Sequence, residues 1–125
     1  MSISVPAADV PERLSEYGRA PFLLTTSLDG RVKVVHVAGL WDIEAAAFHC
    51  SPGGGTLQNL AGAEIGPTGG PATLVFSGPD ADTHSWLVDA TGTADPEHDG
   101  WVVLAYESGV LHRPAPEVPG DQRNC

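Results

Sequence analysis

Basic residues are scarce in this chain: six Lys and Arg stand against sixteen Asp and Glu, for a formal net charge of −10. So acidic a surface repels polyphosphates and anionic lipid, which leaves no nucleic acid and no membrane among the expected partners. It also makes each base informative: Arg19, Arg31, Lys33 and Arg113 are nearly the whole supply for a phosphate-bearing ligand. Cysteine is scarcer still, and Cys50 and Cys125 do not amount to a disulfide framework. No apolar run approaches the ~20 residues that span a bilayer, and the N-terminus carries no signal-peptide pattern, so a cytoplasmic location is expected. The five histidines show no pair at the close spacing of a zinc site, and no G-x-S-x-G elbow occurs. No metal is expected.

What is present points to a small β protein. A chain of 125 residues, 42% hydrophobic and 18% charged, makes one globular domain. Fifteen Gly and eleven Pro favour short elements joined by tight turns. Asp9 to Tyr17 reads as a short helix, with Asp9 as cap, Pro11 in the first turn and Gly18 as the stop. Phe22 to Ser27 and Val32 to Val37 read as strands joined by an Asp29-Gly30 hairpin. After a turn over Asp42 to Glu44, Ala45 to Cys50 is a third strand. Ser51 to Gly55 reads as a loop, and Thr56 as the cap of a short helix through Leu57 and Leu60. Glu64 to Gly70 is a second loop. Ala72 to Phe76 and His84 to Ala94 are further strands, and Trp101 to Tyr106 with Val110 to His112 forms the last, bent at Gly109. Residues 1–8 and 114–125 are expected to be irregular tails of a single domain. The pattern predicts six or so antiparallel strands in a barrel.

Two features carry candidate chemistry. Gly53-Gly54-Gly55 ahead of a helix is either a flexible surface loop or an anion cradle, because glycine lets an anion approach backbone N–H groups at a positive helix end. His36, in the second strand of the hairpin, is either an outward polar residue or a group for acid–base work or ligation. Cys50 lies in an apolar strand without an activating base, which fits a structural thiol. Trp86 and Trp101 either pack a core or flank a planar ligand.

The order LLTTSLDGRVKVVHV, Trp41-Asp42, TLQNL, PATLVF, SWLVDATGTAD and VLHRPAP, over residues 20 to 116, resembles the flavin-binding split-barrel family, the relatives of pyridoxamine 5′-phosphate oxidase, and within it the actinobacterial branch. The resemblance implies a six-stranded split barrel that dimerises and binds a flavin between its subunits. It implies backbone contacts from Lys33 to Val37 (Val35 and Val37 among them) along the ring. It implies phosphate contacts from Arg31, Lys33, Ser51, Thr56, Gln58 and Asn59, with His36 touching ring or substrate. The implied cofactor is FMN, which suits an acidic chain better than the deazaflavin F420 with its acidic tail. The implied activity is oxidoreduction of a small molecule. Relatives carry Arg or Lys in the loop where this chain has Gly55, Leu57 and Gln58. Haem held by His36 or His84, a cofactor-free substrate site and a non-catalytic dimeric accessory protein stand as alternatives.

Overall fold

Alternation of apolar and polar side chains places most of this chain in strands. A computed structural model describes residues 2–61, 69–80 and 82–114. The elements run β1 (Ile3–Ser4), a 3-10 turn (Ala7–Asp9), α1 (Val10–Tyr17), β2 (Phe22–Thr26), β3 (Val32–His36), β4 (Leu40–Asp42) and β5 (Ala47–Cys50). They continue with α2 (Gly54–Ala61), β6 (Gly70–Phe76), β7 (Ser85–Ala94) and β8 (Val102–His112). All strand pairs are antiparallel, in the order β3-β2-β6-β7-β8-β5-β4, with β1 added on β8.

The sheet rolls around one core. Phe48 on β5 and Phe76 on β6 stand three strands apart, about 14 Å in a flat sheet. Their rings nevertheless pack at 5.8 Å, and Trp86 stacks on Phe76 at 4.2 Å. Inward residues of five strands share this core, including Leu23, Leu74, Val88, Leu104 and Phe48. Val10 and Leu14 of α1 and Leu60 of α2 close its ends. Trp86 is therefore a core residue, fully buried.

β8 holds the roll together. Its whole length pairs with β7, while its other edge is shared: Val102–Ala105 take β5 and Val110–Leu111 take β1. Between Asp89 and Ala90 of β7 the register slips past Glu107, so one extra β8 residue lies in the ladder. That bulge lets Val102 and Leu104 face inward below it and Gly109 and Leu111 above it. A side chain at Gly109 would run into the Tyr106 hydroxyl.

Several sequence expectations need correction. Residues 1–8 are not wholly irregular, since β1 pairs with β8 and the Val5 N–H donates to the Gly109 carbonyl at 2.8 Å. Asp9 makes no side-chain cap and instead ends the 3-10 turn that leads into α1. The Ser51–Gly55 segment is not all loop: α2 starts at Gly54, and Thr56 lies inside it rather than capping it. The bend in the last strand falls at Glu107 rather than Gly109. Residues 64–68 of the expected 64–70 loop, most of the 114–125 tail and Cys125 lie outside the described residues, while Gly70 already belongs to β6.

Candidate functional site

The Asp29-Gly30 hairpin sets which way each β3 side chain points. Gly30 takes φ +86°, and Ser27 and Arg31 close the turn through the Ser27 N–H and the Arg31 carbonyl at 2.9 Å. From there Lys33 faces Thr25 and Val35 faces Leu23, on the side of the core. Val32, Val34 and His36 face the other way. The Val37 N–H donates to the Pro21 carbonyl at 3.1 Å. Alternation then turns the amides of Lys33 and Val35 toward β2 as well. β3 ends the strand order, and the amides of Val32, Val34 and His36 lie along its free edge.

On the core side, Lys33 reaches the start of α2. A Cβ built on Gly55 would stand 2.7 Å from Lys33 Cε and 3.1 Å from its Nζ, so the lysine chain lies directly over the glycine backbone. The Leu57 N–H donates to the Gly53 carbonyl at 3.2 Å, which makes Gly53 the cap residue. Gly53 has no side chain to offer, so the first-turn amides of Gly54, Gly55 and Thr56 have no capping acceptor among the described residues. Space beside Gly53 and Gly54 is open, with nothing within 4 Å of a Cβ at either. Lys33 and Arg31 make no ion pair among the described residues, in a chain with sixteen acids.

The remaining expected phosphate contacts separate. Asn59 Nδ2 donates to Thr25 Oγ1 at 3.1 Å and so fastens α2 to β2. Thr56 is fully buried, with its hydroxyl unpartnered. Ser51 Oγ turns to the Gly100 carbonyl at 3.3 Å. Gln58 is exposed. His36 is on the opposite face of β3 from Lys33, stacked on Phe22 at 4.7 Å, with Nε2 2.9 Å from the Ala20 carbonyl. Facing a carbonyl, Nε2 carries the proton and leaves Nδ1 as an acceptor in the neutral ring. His84 is half-buried just before β7, and its carbonyl accepts from the Tyr17 hydroxyl at 3.0 Å. The Cys50 thiol is buried, which pushes it up to about 11 and fits a structural role.

A second constellation escaped the sequence. His49 on β5, Asp42 on β4, and Asp95 and His98 in the turn between β7 and β8 come together. His49 Nε2 is 3.4 Å from Asp42, its Nδ1 is 3.7 Å from Asp95, and His98 Nδ1 is 3.1 Å from Asp95. His49 offers opposite ring nitrogens to two acids, so these groups form a chain and do not converge on one point. No group that could hold a metal ion occurs among the described residues. Donation from the Glu97 N–H, opposed by burial, and then the two histidines hold the Asp95 carboxyl below its ordinary value. The group borders a cavity of about 540 Å³ walled by Trp41 and Trp101. It shares no lining residue with the Lys33–Gly55 cradle, whose ammonium and free amides are the more directed chemistry for an anion.

No helix among the described residues is long and apolar enough to cross a membrane. No family model, curated protein or solved structure matches the chain.

Proposed function

We propose that this chain is a flavin-binding split-barrel protein that takes FMN and acts as a homodimeric oxidoreductase on a small molecule. The observation that carries the reading is Lys33, without an ion pair among the described residues, lying over a first turn of α2 that has no capping acceptor among them. A mobile ammonium, free amides and a positive helix end together suit a phosphate dianion. The donor set fits the group, though it is smaller than the resemblance implies. Lys33 and the amides of Gly54 and Gly55 would hold the phosphate, with the exposed Arg31 just before β3 as a second charge. Thr56 supports the turn from inside, Asn59 locks the helix to the sheet, and Ser51 is engaged elsewhere.

Bound FMN would supply the electron and hydride transfer. The chain supplies orientation: the free-edge amides of Val32, Val34 and His36 are available to the polar edge of a ring. His36 Nδ1 is available to accept a proton from a substrate on the outer face, with its ring held by Phe22 and Ala20. The same face supports a dimer. His36, Phe22, Val75, Leu87 and Val110 align across five strands as one largely apolar row, beside exposed Val32 and Val34. A second subunit would cover it. Haem on His36 has less support, because Nε2 is already committed to the Ala20 carbonyl.

The test is titration of FMN with purified protein, read by flavin fluorescence quenching, beside Lys33→Ala. Saturable binding in the micromolar range is expected. Loss of one charge-assisted contact should weaken it roughly tenfold to a hundredfold. Absence of saturation at about 100 µM FMN would overturn the reading.

A further inference from the structure

The cavity beside His49 is independent of the flavin reading, and its chemistry is of the opposite sign. No Lys or Arg lines it, whereas Asp42, Glu44 and Asp95 do. Its two walls are indoles. Trp41 is fixed by Phe48 at 4.8 Å and Tyr106 at 5.8 Å; the backbone of Trp101 is held in its turn by Trp101 N–H to His98 carbonyl and Asp95 N–H to Trp101 carbonyl, and its ring lies 6.5 Å from that of His98. Walls anchored in this way form a preshaped slot rather than one that must be assembled on binding.

One acceptor in the slot lacks a donor among the described residues. Asp42 Oδ1 takes the Ala45 N–H at 3.1 Å, but Oδ2 has no hydrogen-bond donor among the described residues. His49 Nε2 stands 3.4 Å behind it and is shut off from solvent, so Asp42 rather than this nitrogen is the acceptor a ligand can reach. A carboxylate oxygen so placed calls for an N–H donor carrying positive charge. Asp95 does not compete for it, since Glu97 N–H and His98 already serve its two oxygens at 2.9 and 3.1 Å.

We infer that this cavity binds an amphipathic organic cation, an ammonium group on a compact apolar body. The ammonium docks on Asp42 Oδ2 with Glu44 beside it, and its body lies between Trp41 and Trp101, whose ring faces attract cations. A volume of about 540 Å³ has room for a one-ring amine.

The test uses three near-isosteric probes on the flavin-free protein: phenethylammonium, 2-phenylethanol and phenylacetate. Binding is followed by calorimetry and by the indole fluorescence of Trp41 and Trp101. Phenethylammonium should saturate and bind at least about tenfold more tightly than the alcohol, with the carboxylate weakest. Asp42→Asn should remove that preference; Glu44→Gln, at an exposed position, should reduce it and serves as the second variant if the first does not fold. Equal affinity for amine and alcohol, or no saturation by the amine below about 10 mM, would overturn the inference.

Discussion

Gly55→Ala separates what the cradle does for the fold from what it does for a ligand. Gly55 sits in the first turn of α2 with an ordinary helical backbone, so alanine suits the helix better. Replacing glycine there should stabilise by roughly 0.5–1 kcal/mol. The new methyl would stand 2.7 Å from Lys33 Cε and 3.1 Å from Cδ and Nζ. Those atoms are the far end of a flexible exposed side chain, so the lysine swings aside by about 1 Å at little cost to the fold. Moving it forfeits its place over the free amides and a charge-assisted contact of about 1.5–3 kcal/mol. Stability and anion affinity should therefore move in opposite directions. Urea unfolding should show a higher midpoint, and a thermal melt a rise of about 2–5 °C. FMN affinity should fall roughly tenfold or more. The reasoning is refuted by a variant that loses stability while binding FMN as the native chain does. A stabilised variant in a protein that never binds FMN would leave the local geometry standing and remove the flavin.

Gly92→Ala should do the reverse at the other end of α2, because its methyl would lie 2.9 Å from Leu104 Cδ2 and from both Leu60 methyls. Overpacking of this kind costs about 1–3 kcal/mol, read as a lower urea midpoint. Tyr106→Phe removes the bond from the Tyr106 hydroxyl to the Val5 carbonyl at 2.5 Å. Hydrogen exchange at residues 3–5 should accelerate severalfold while amides of β6 and β7 stay protected. Burial raises the Cys50 thiol from 9.0 to about 11, so the folded state keeps a proton that the unfolded chain has lost between those values. Its stabilising effect is complete below pH 9 and disappears as pH climbs toward 11, and alkaline unfolding should be shallower in Cys50→Ala over that window. Tyr17 and Tyr106, both raised by burial above the ordinary 10, add loss of the same sign at higher pH in either protein.

Local rules were enough for the hairpin, for α1 and for most strands, because Asp29-Gly30, Pro11, Gly18 and alternating valines act over a few residues. They failed where tertiary packing overrides propensity. Two glycines make a poor first helical turn, yet Thr56 and Leu60 are buried against the sheet and draw Gly54 and Gly55 into α2. β1 has two residues, too few for any periodicity. The opposite orientations of Lys33 and His36 were legible in principle, since three positions separate them and strand faces alternate with period two. The His49 group was not legible. Its partners stand 7, 46 and 49 positions away: the β4–β5 pairing brings Asp42, but only the β5–β8 pairing with the Asp95–Gly100 turn brings Asp95 and His98.

The sharing of β8 bears on how the chain is made. Strands β1 and β5 emerge early from a ribosome, yet β1 has its backbone partner only in β8, and β5 and β7, paired on one edge with β4 and β6, need β8 for the other. Until residue 112 has cleared the exit tunnel, a nascent chain holds three strands with open edges and its core aromatics Phe48 and Trp86 without a complete wall. Hairpins β2–β3 and β6–β7 can form beforehand, but closure waits for the last strand. A cut within β8 in the finished protein would likewise free β1, β5 and β7 together, so the fold should be lost in one step rather than frayed from an end.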